Sequence, residues 1–284
     1  MKEHPTMFCG RNFSFVRGKK TYIMGILNLT PDSFSDGGIY FDPGAAIARA
    51  EALWRQGADM LDVGAMSTRP NSEPVPPREE MARLACLREI CRRVPIPVSV
   101  DTYRPEVAFF ALENGAAVIN DVCGHFQPEM AALVKEAGCG YIVMRWPGER
   151  AEQNGHYPDG VVRDVDTFFS QILEKLTDAG VRKEQICLDP GFGFAKNAEQ
   201  NVQLLKALDA LRRDDVFYLT ALSRKRFLGA LTGVEKPEER DLATAAASVV
   251  AIQKGADMLR VHNVAQCVQA AKIADAIYRC ESEE

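Results

Sequence analysis

Short apolar runs alternate with amphipathic stretches along this chain. The runs occupy residues 22–28, 60–62, 98–101, 118–120, 141–145, 186–189, 216–223 and 258–262, and nearly every one stops on a polar residue. Brief apolar runs separated by segments of helical period read as parallel strands joined by helices. Eight such units predict an α/β fold, a closed (β/α)8 TIM barrel whose strand C-termini converge on one face.

Local signals support the helices. Asp42 before Pro43 is an N-cap with proline at the first helical position. Ala46, Ile47, Ala50, Leu53 and Trp54 then recur at helical spacing. Pro76-Pro77, Pro105 and Gln127-Pro128 open the next three helices, and four more are expected over 164–180, 198–213, 240–255 and 265–279. The pentapeptide Gly57-Ala58-Asp59-Met60-Leu61 returns as Gly255-Ala256-Asp257-Met258-Leu259, each a helix-ending glycine followed by a strand. Phe13-Ser14-Phe15-Val16 alternates ahead of a turn at 17–20, which predicts a short N-terminal hairpin against the barrel floor. A single domain over 1–284 is expected, with its core from about 21 to 280. Long connections at 30–41, 65–77 and 146–162 suit binding loops.

Composition narrows the function classes. The chain has 284 residues, 46% hydrophobic and 26% charged, with a net charge of −5, which argues against an electrostatic nucleic-acid binder. No apolar stretch has the length of a membrane span, and residues 1–10 lack the apolar core of a signal peptide. The 8 cysteines form no Cys-x-x-Cys pair and read as free thiols in a reducing cytoplasm. The 4 histidines show no zinc-ligand spacing.

The strand ends carry the chemistry. Alternation places Arg260 and His262 on one side of the last strand, and Ser223-Arg224-Lys225-Arg226 ends the strand before it. Basic groups gathered there, with a helix start behind them, predict a phosphate-type site. Asp62, Asp101, Asn120 with Asp121, and Asp189 end four other strands. A ring of acceptors suits a guanidine-like heterocycle, because one carboxylate takes two parallel N–H bonds. For any single aspartate, capping of the following helix is the competing reading, and Asp101 and Asp189 are both compatible with it. Asn28 ends the first strand, where its amide oxygen is able to ligate a metal.

The loop Asn28-Leu29-Thr30-Pro31-Asp32-Ser33-Phe34-Ser35-Asp36-Gly37-Gly38 resembles the first signature of the dihydropteroate synthases. So do Asp62-Val63-Gly64 with Ser67-Thr68-Arg69-Pro70, Val100-Asp101-Thr102, Ile119-Asn120-Asp121, Asp189-Pro190-Gly191-Phe192-Gly193-Phe194, Ser223-Arg224-Lys225 and Arg260-Val261-His262. The matches run in the family's order from Ile23 to Val264. Pterin-binding relatives that transfer methyl groups share the barrel but lack this combination.

The resemblance implies an enzyme that joins 6-hydroxymethyl-7,8-dihydropterin diphosphate to 4-aminobenzoate in folate biosynthesis, releasing diphosphate. It assigns pterin to Asp101, Asn120, Met144, Asp189 and Lys225. It assigns diphosphate to Asn28, Thr68, Arg69, Arg260 and His262, with Mg2+ at Asn28. It assigns 4-aminobenzoate to Phe34, Pro70, Phe194 and Lys225. Asp101, Lys225 and Arg260 are the implied catalytic groups, with Asp62 orienting Arg260 from a neighbouring strand end. A cytoplasmic homodimer paired through barrel helices is implied as well. The chain departs from the family at Ala65, Met66, Asn71 and Arg145, and the loss of an acidic residue at Met66 with the added charge of Arg145 predicts tighter anion retention. A divergent pterin-diphosphate-binding paralogue without turnover is the alternative that these departures raise.

Overall fold

The computed structural model describes residues 6–29, 42–65, 75–148 and 155–279. Eight parallel strands close into a barrel: β3 (Tyr22–Asn28), β4 (Met60–Gly64), β5 (Val98–Asp101), β6 (Val118–Asp121), β7 (Gly140–Met144), β8 (Ile186–Asp189), β9 (Phe217–Thr220) and β10 (Met258–Val261). β10 pairs with β3 and β9, which completes the ring. Most expected strands agree within a residue or two. The run 216–223 contributes only Phe217–Thr220 to the sheet.

Helices α1 (Pro43–Arg55), α4 (Pro105–Glu113), α5 (Pro128–Ala137), α6 (Val161–Asp178), α9 (Asp241–Gln253) and α10 (Val264–Tyr278) follow the predicted units. Asp42 caps α1 as expected, accepting from the Gly44 N–H at 2.8 Å. Three details differ from the sequence reading. The second helix is broken into α2 (Pro77–Arg83) and α3 (Leu87–Arg93). Between them the backbone tightens to i→i+3 bonds, Ala85 N to Ala82 O at 3.2 Å and Leu87 N to Leu84 O at 2.9 Å, while Leu84, Cys86 and Leu87 stay buried. The sixth helix, α7 (Ala198–Lys206), stops short of the expected 213. Beyond it Leu208 and Leu211 stay buried, but the backbone tightens to i→i+3 bonds such as Ala210 N to Ala207 O at 3.0 Å. An unpredicted α8 (Arg226–Thr232) follows β9, too short for periodicity to reveal.

Two apolar layers result. Outward strand residues such as Ile23, Leu61, Val63, Val100 and Leu188 pack under the helices. Inward residues Met24, Met60, Val118, Ile142, Cys187, Phe217 and Met258 fill the N-terminal half of the barrel. The expected hairpin, β1 (Met7–Gly10) with β2 (Phe13–Val16), closes that end with Phe8 and Phe15. The Phe8 ring lies 5.8 Å from Phe217 and 5.2 Å from Phe13. Arg17, just past the hairpin, bonds both oxygens of buried Asp257 at 2.9–3.2 Å, which ties the plug to the root of β10. The polar strand ends are thereby left at the opposite, open face.

Phe8 is fully buried, so Phe8→Ala is expected to lower unfolding stability by about 3–5 kcal/mol. Urea denaturation measures this, and an unchanged midpoint would show that the hairpin does not carry the barrel floor.

Candidate functional site

Above the apolar layer the inward positions turn polar. Arg260 on β10 points across the barrel, its Nε donating to Asp62 Oδ2 at 2.6 Å and its Nη2 to Asp101 Oδ2 at 3.0 Å. Asn120 on β6 donates from Nδ2 to the same Asp62 oxygen at 3.0 Å. Asp62 thus orients Arg260, but not from a neighbouring strand, since β3 lies between β10 and β4. Side chains of alternate strands meet in one layer inside such a barrel, which brings β4, β6 and β10 together. Burial combined with this bonding leaves Asp62 Oδ1 and Asn120 Oδ1 without hydrogen-bond partners among the described residues. Orphaned buried acceptors are costly, and a ligand with N–H donors would satisfy them.

Asp101 and Asp189 are not helix caps. Their following helices begin at Pro105 and Ala198, the latter capped by Asn197. Burial pushes the Asp101 carboxyl up to about 7, with Arg260 opposing and Asp62 adding to the rise. Burial also raises Asp189, opposed by the Gly191 N–H, which donates to its Oδ1 at 2.8 Å. Gly191 makes that turn possible: its φ is +72°, and a Cβ there would sit 2.0 Å from the Arg145 carbonyl oxygen. Met144 is buried in register beside Asp189. Asp121, by contrast, faces away from the mouth, accepting from the Cys123 N–H at 2.8 Å and from Tyr141 Oη at 2.6 Å.

The proposed cluster of five basic groups is smaller than the sequence reading had it. Arg224 is held by Asp241 through bonds of 2.7 and 2.9 Å, and Arg226 is exposed at the start of α8. Lys225 turns inward, its Nζ 4.2 Å from the Phe194 ring centroid. Burial and the nearby Arg260 lower the Lys225 ammonium to about 8. His262 is not a cation in the free site. Burial, then Arg224, hold it down to about 3. The Ser223 hydroxyl accepts from the His262 N–H at 3.1 Å and lies 2.9 Å from its Nδ1. The resemblance assigns Ser223 no role, and the structure places it against His262.

Arg145 does not add charge to the diphosphate region as expected. Its Nε and Nη2 bond Asp164 at 2.8 and 2.9 Å, and its guanidinium lies over Phe168 at 5.3 Å. A cleft of about 410 Å³ lies on this flank, beside Tyr157, Asp164 and Phe168. Asn28 sits at the C-terminal end of β3, half-buried. Thr68, Arg69, Pro70 and Phe34, with Met66 and Asn71, fall outside the described residues.

The profile of the family described as pterin binding enzyme matches residues 24–262. A dihydropteroate synthase of Synechocystis is 42% identical over 265 residues, covering 92% of this chain and 92% of that protein. The Xanthomonas albilineans dihydropteroate synthase solved with 4-aminobenzoic acid superposes with a TM-score of 0.91 at 39% identity, covering 98% of this chain and 100% of that one. The Burkholderia cenocepacia enzyme complexed with 7,8-dihydropteroate gives a TM-score of 0.86 at 38% identity over 96% of each chain.

A histidine held at about 3 in the fold but near 6.5 when unfolded takes up its proton only on unfolding in the interval between. The unfolded state therefore binds more protons there, and stability falls as pH drops from about 6.5 towards 3. His262→Gln is expected to flatten that part of the stability profile, read by urea unfolding across the interval. An equally steep profile in the variant would assign the dependence to other groups.

Proposed function

The chain belongs to the dihydropteroate synthases, which join 6-hydroxymethyl-7,8-dihydropterin diphosphate to 4-aminobenzoate, and from that premise we propose how its residues divide the reaction. The observation that carries the assignment is the inward ring of buried acceptors around one doubly held arginine. Asn120 Oδ1 and the Asp189 carboxylate accept from the pterin's N–H groups, with Met144 packed against the ring. Lys225 donates on the opposite edge. Arg260 meets the diphosphate where it leaves, and His262 donates to it. The N-terminus of α10, capped by Asn263, lies directly after His262 and favours negative charge.

The step itself needs no protein nucleophile. The C–O bond to diphosphate breaks, and the electron pair departs with the diphosphate. Arg260, already inside the barrel, stabilises that charge without reorganising. The cation left on the pterin methylene lies near Asp101, whose ionised form it favours. The aromatic amine then attacks and gives up a proton, with Phe194 and Lys225 forming a wall of its pocket. Phe34, Pro70, Thr68 and Arg69 complete the pockets in this reading. Asn28, half-buried at the end of β3, would hold Mg2+ through its amide oxygen as one of few protein ligands. When bound, it neutralises charge on the departing group.

Turnover is tested by diphosphate release from pterin diphosphate with 4-aminobenzoate and Mg2+. Pterin binding without release would support the paralogue reading instead. Asp189→Asn is expected to weaken pterin binding by about 1.5–3 kcal/mol, the range for a charge-assisted bond. Arg260→Ala should weaken pterin diphosphate far more than unphosphorylated hydroxymethylpterin. Equal weakening of both would remove Arg260 from the diphosphate site.

We also propose a homodimer through α9 and α10, in the cytoplasm. α9 turns Thr244 and Ser248 inward and Leu242, Ala246 and Val250 outward, the reverse of a solvated helix. Leu242 is 81% exposed and Ile273 and Ile277 on α10 are each 64% exposed, a face that a second copy would cover. No described helix is long and apolar enough to cross a membrane. Leu242→Glu with Ile273→Glu should convert the dimer to monomer in sedimentation equilibrium, and a mass unchanged by both would rule out this face.

A further inference from the structure

We propose that Lys196 is a positioning residue for this reaction: its buried side chain braces the 190–194 turn from behind and so sets both the Asp189 carboxylate and the Phe194 ring. The inference rests on the pterin reading above. Lys196 is 6% exposed, and its Nζ donates to the Gly191 carbonyl at 2.9 Å and to the Phe194 carbonyl at 3.2 Å. The same Gly191 supplies the N–H that fixes Asp189 Oδ1. The Phe194 ring is the surface on which Lys225 lies. One ammonium thus spans the residues that present the heterocycle anchor and a wall of the amine pocket.

The surroundings make this more than a local turn. Asn201 holds the middle of the same segment, accepting from the Gly193 N–H at 2.7 Å and donating to the Lys196 carbonyl at 3.1 Å. Ala195, between the brace and the ring, has a φ of +49°, a conformation an alanine keeps only when its neighbours impose it. Its carbonyl accepts from the Gly155 N–H at 2.7 Å and Tyr157 Oη at 3.2 Å, so the connection before α6 grips the turn from the other side.

Lys196 also acts through its charge. Asp189 on β8, Arg145 after β7, Asp164 on α6 and Lys225 before α8 are the charged groups that face it. Burial lowers Lys196 to about 7, with Asp189 opposing. It is therefore cationic on the acid side of neutrality, where Asp189, itself raised by burial, most needs help to stay ionised. Removing that cation raises the Asp189 carboxyl further, so pterin binding is lost at a higher pH. Lys225 and Arg260 still face Asp189 in such a variant, and they leave part of its ionisation intact.

The test compares wild type, Lys196→Met, Lys196→Arg and Asn201→Ala in the full chain. Binding of 6-hydroxymethyl-7,8-dihydropterin diphosphate is followed by calorimetry, and turnover by diphosphate release, across the pH range. Lys196→Met should bind about tenfold more weakly at neutral pH and lose binding at a pH about half a unit or more above wild type. Asn201→Ala loosens the same turn without removing charge, so it should weaken binding while keeping the wild-type acid limb. Lys196→Arg should restore that limb. If Lys196→Met does not fold, Lys196→Gln takes its place, keeping a donor but no charge, and must show the same displaced limb. A folded Met or Gln variant with the wild-type acid limb, or an Asn201→Ala limb displaced as far, would overturn the proposal. Wild-type protein that fails to bind the pterin diphosphate would instead overturn the functional reading itself.

Discussion

A guanidinium inside a barrel is costly unless charge and hydrogen bonds answer it, and Arg260 is answered from two strands at once. Asp62 takes its Nε and Asp101 takes its Nη2. The end of β10 is thereby tied through the interior to the paired strands β4 and β5, past the intervening β3. Asn120 is drawn into the same layer by the Asp62 oxygen it shares with Arg260. Below this layer the barrel is apolar, with Met24, Met60, Val118 and Met258 packed on the side that the hairpin closes.

The knot is built with capacity left over. Asp62 Oδ1 and Asn120 Oδ1 have no partner among the described residues, and the Asp101 carboxyl is pushed up to about 7 by its burial. A site arranged for stability alone would have paired or removed these groups. Lys225, lowered to about 8, and a neutral His262 show the same tension from the basic side. The free protein holds charges and acceptors that a heterocycle, an anion and a developing cation would each relieve. Preorganisation of this kind is where electrostatic catalysis gains most, since little has to move as charge develops.

The sequence by itself determined the eight strand–helix units, the hairpin, and which polar residues end each strand. Strand ends are legible because the fold carries polar groups out of a short apolar run on one face only, and proline and N-cap residues mark the helix starts. The family motifs extended this to named residues. Pattern also put Arg260 and His262 on one strand face, a period-two expectation, whereas β10 ends at Val261, one residue short of His262.

Tertiary structure alone decided which of those residues act together. Asp62 and Arg260 are 198 positions apart, and their pairing arises from closure of the barrel, which brings alternate strands into one layer. Arg224, Lys225 and Arg226 are adjacent letters that diverge to Asp241, the Phe194 ring and solvent, because a turn and a helix start send successive side chains in different directions. Arg145 appears in sequence as an added charge and in space as the partner of Asp164. Lys196 gave no sign beyond following a motif, since its importance depends on what lies in front of a turn. Protonation belongs to this second class as well: His262 is neutral and Asp101 hard to ionise because of what buries them, and burial is a property of the closed barrel rather than of any window of residues.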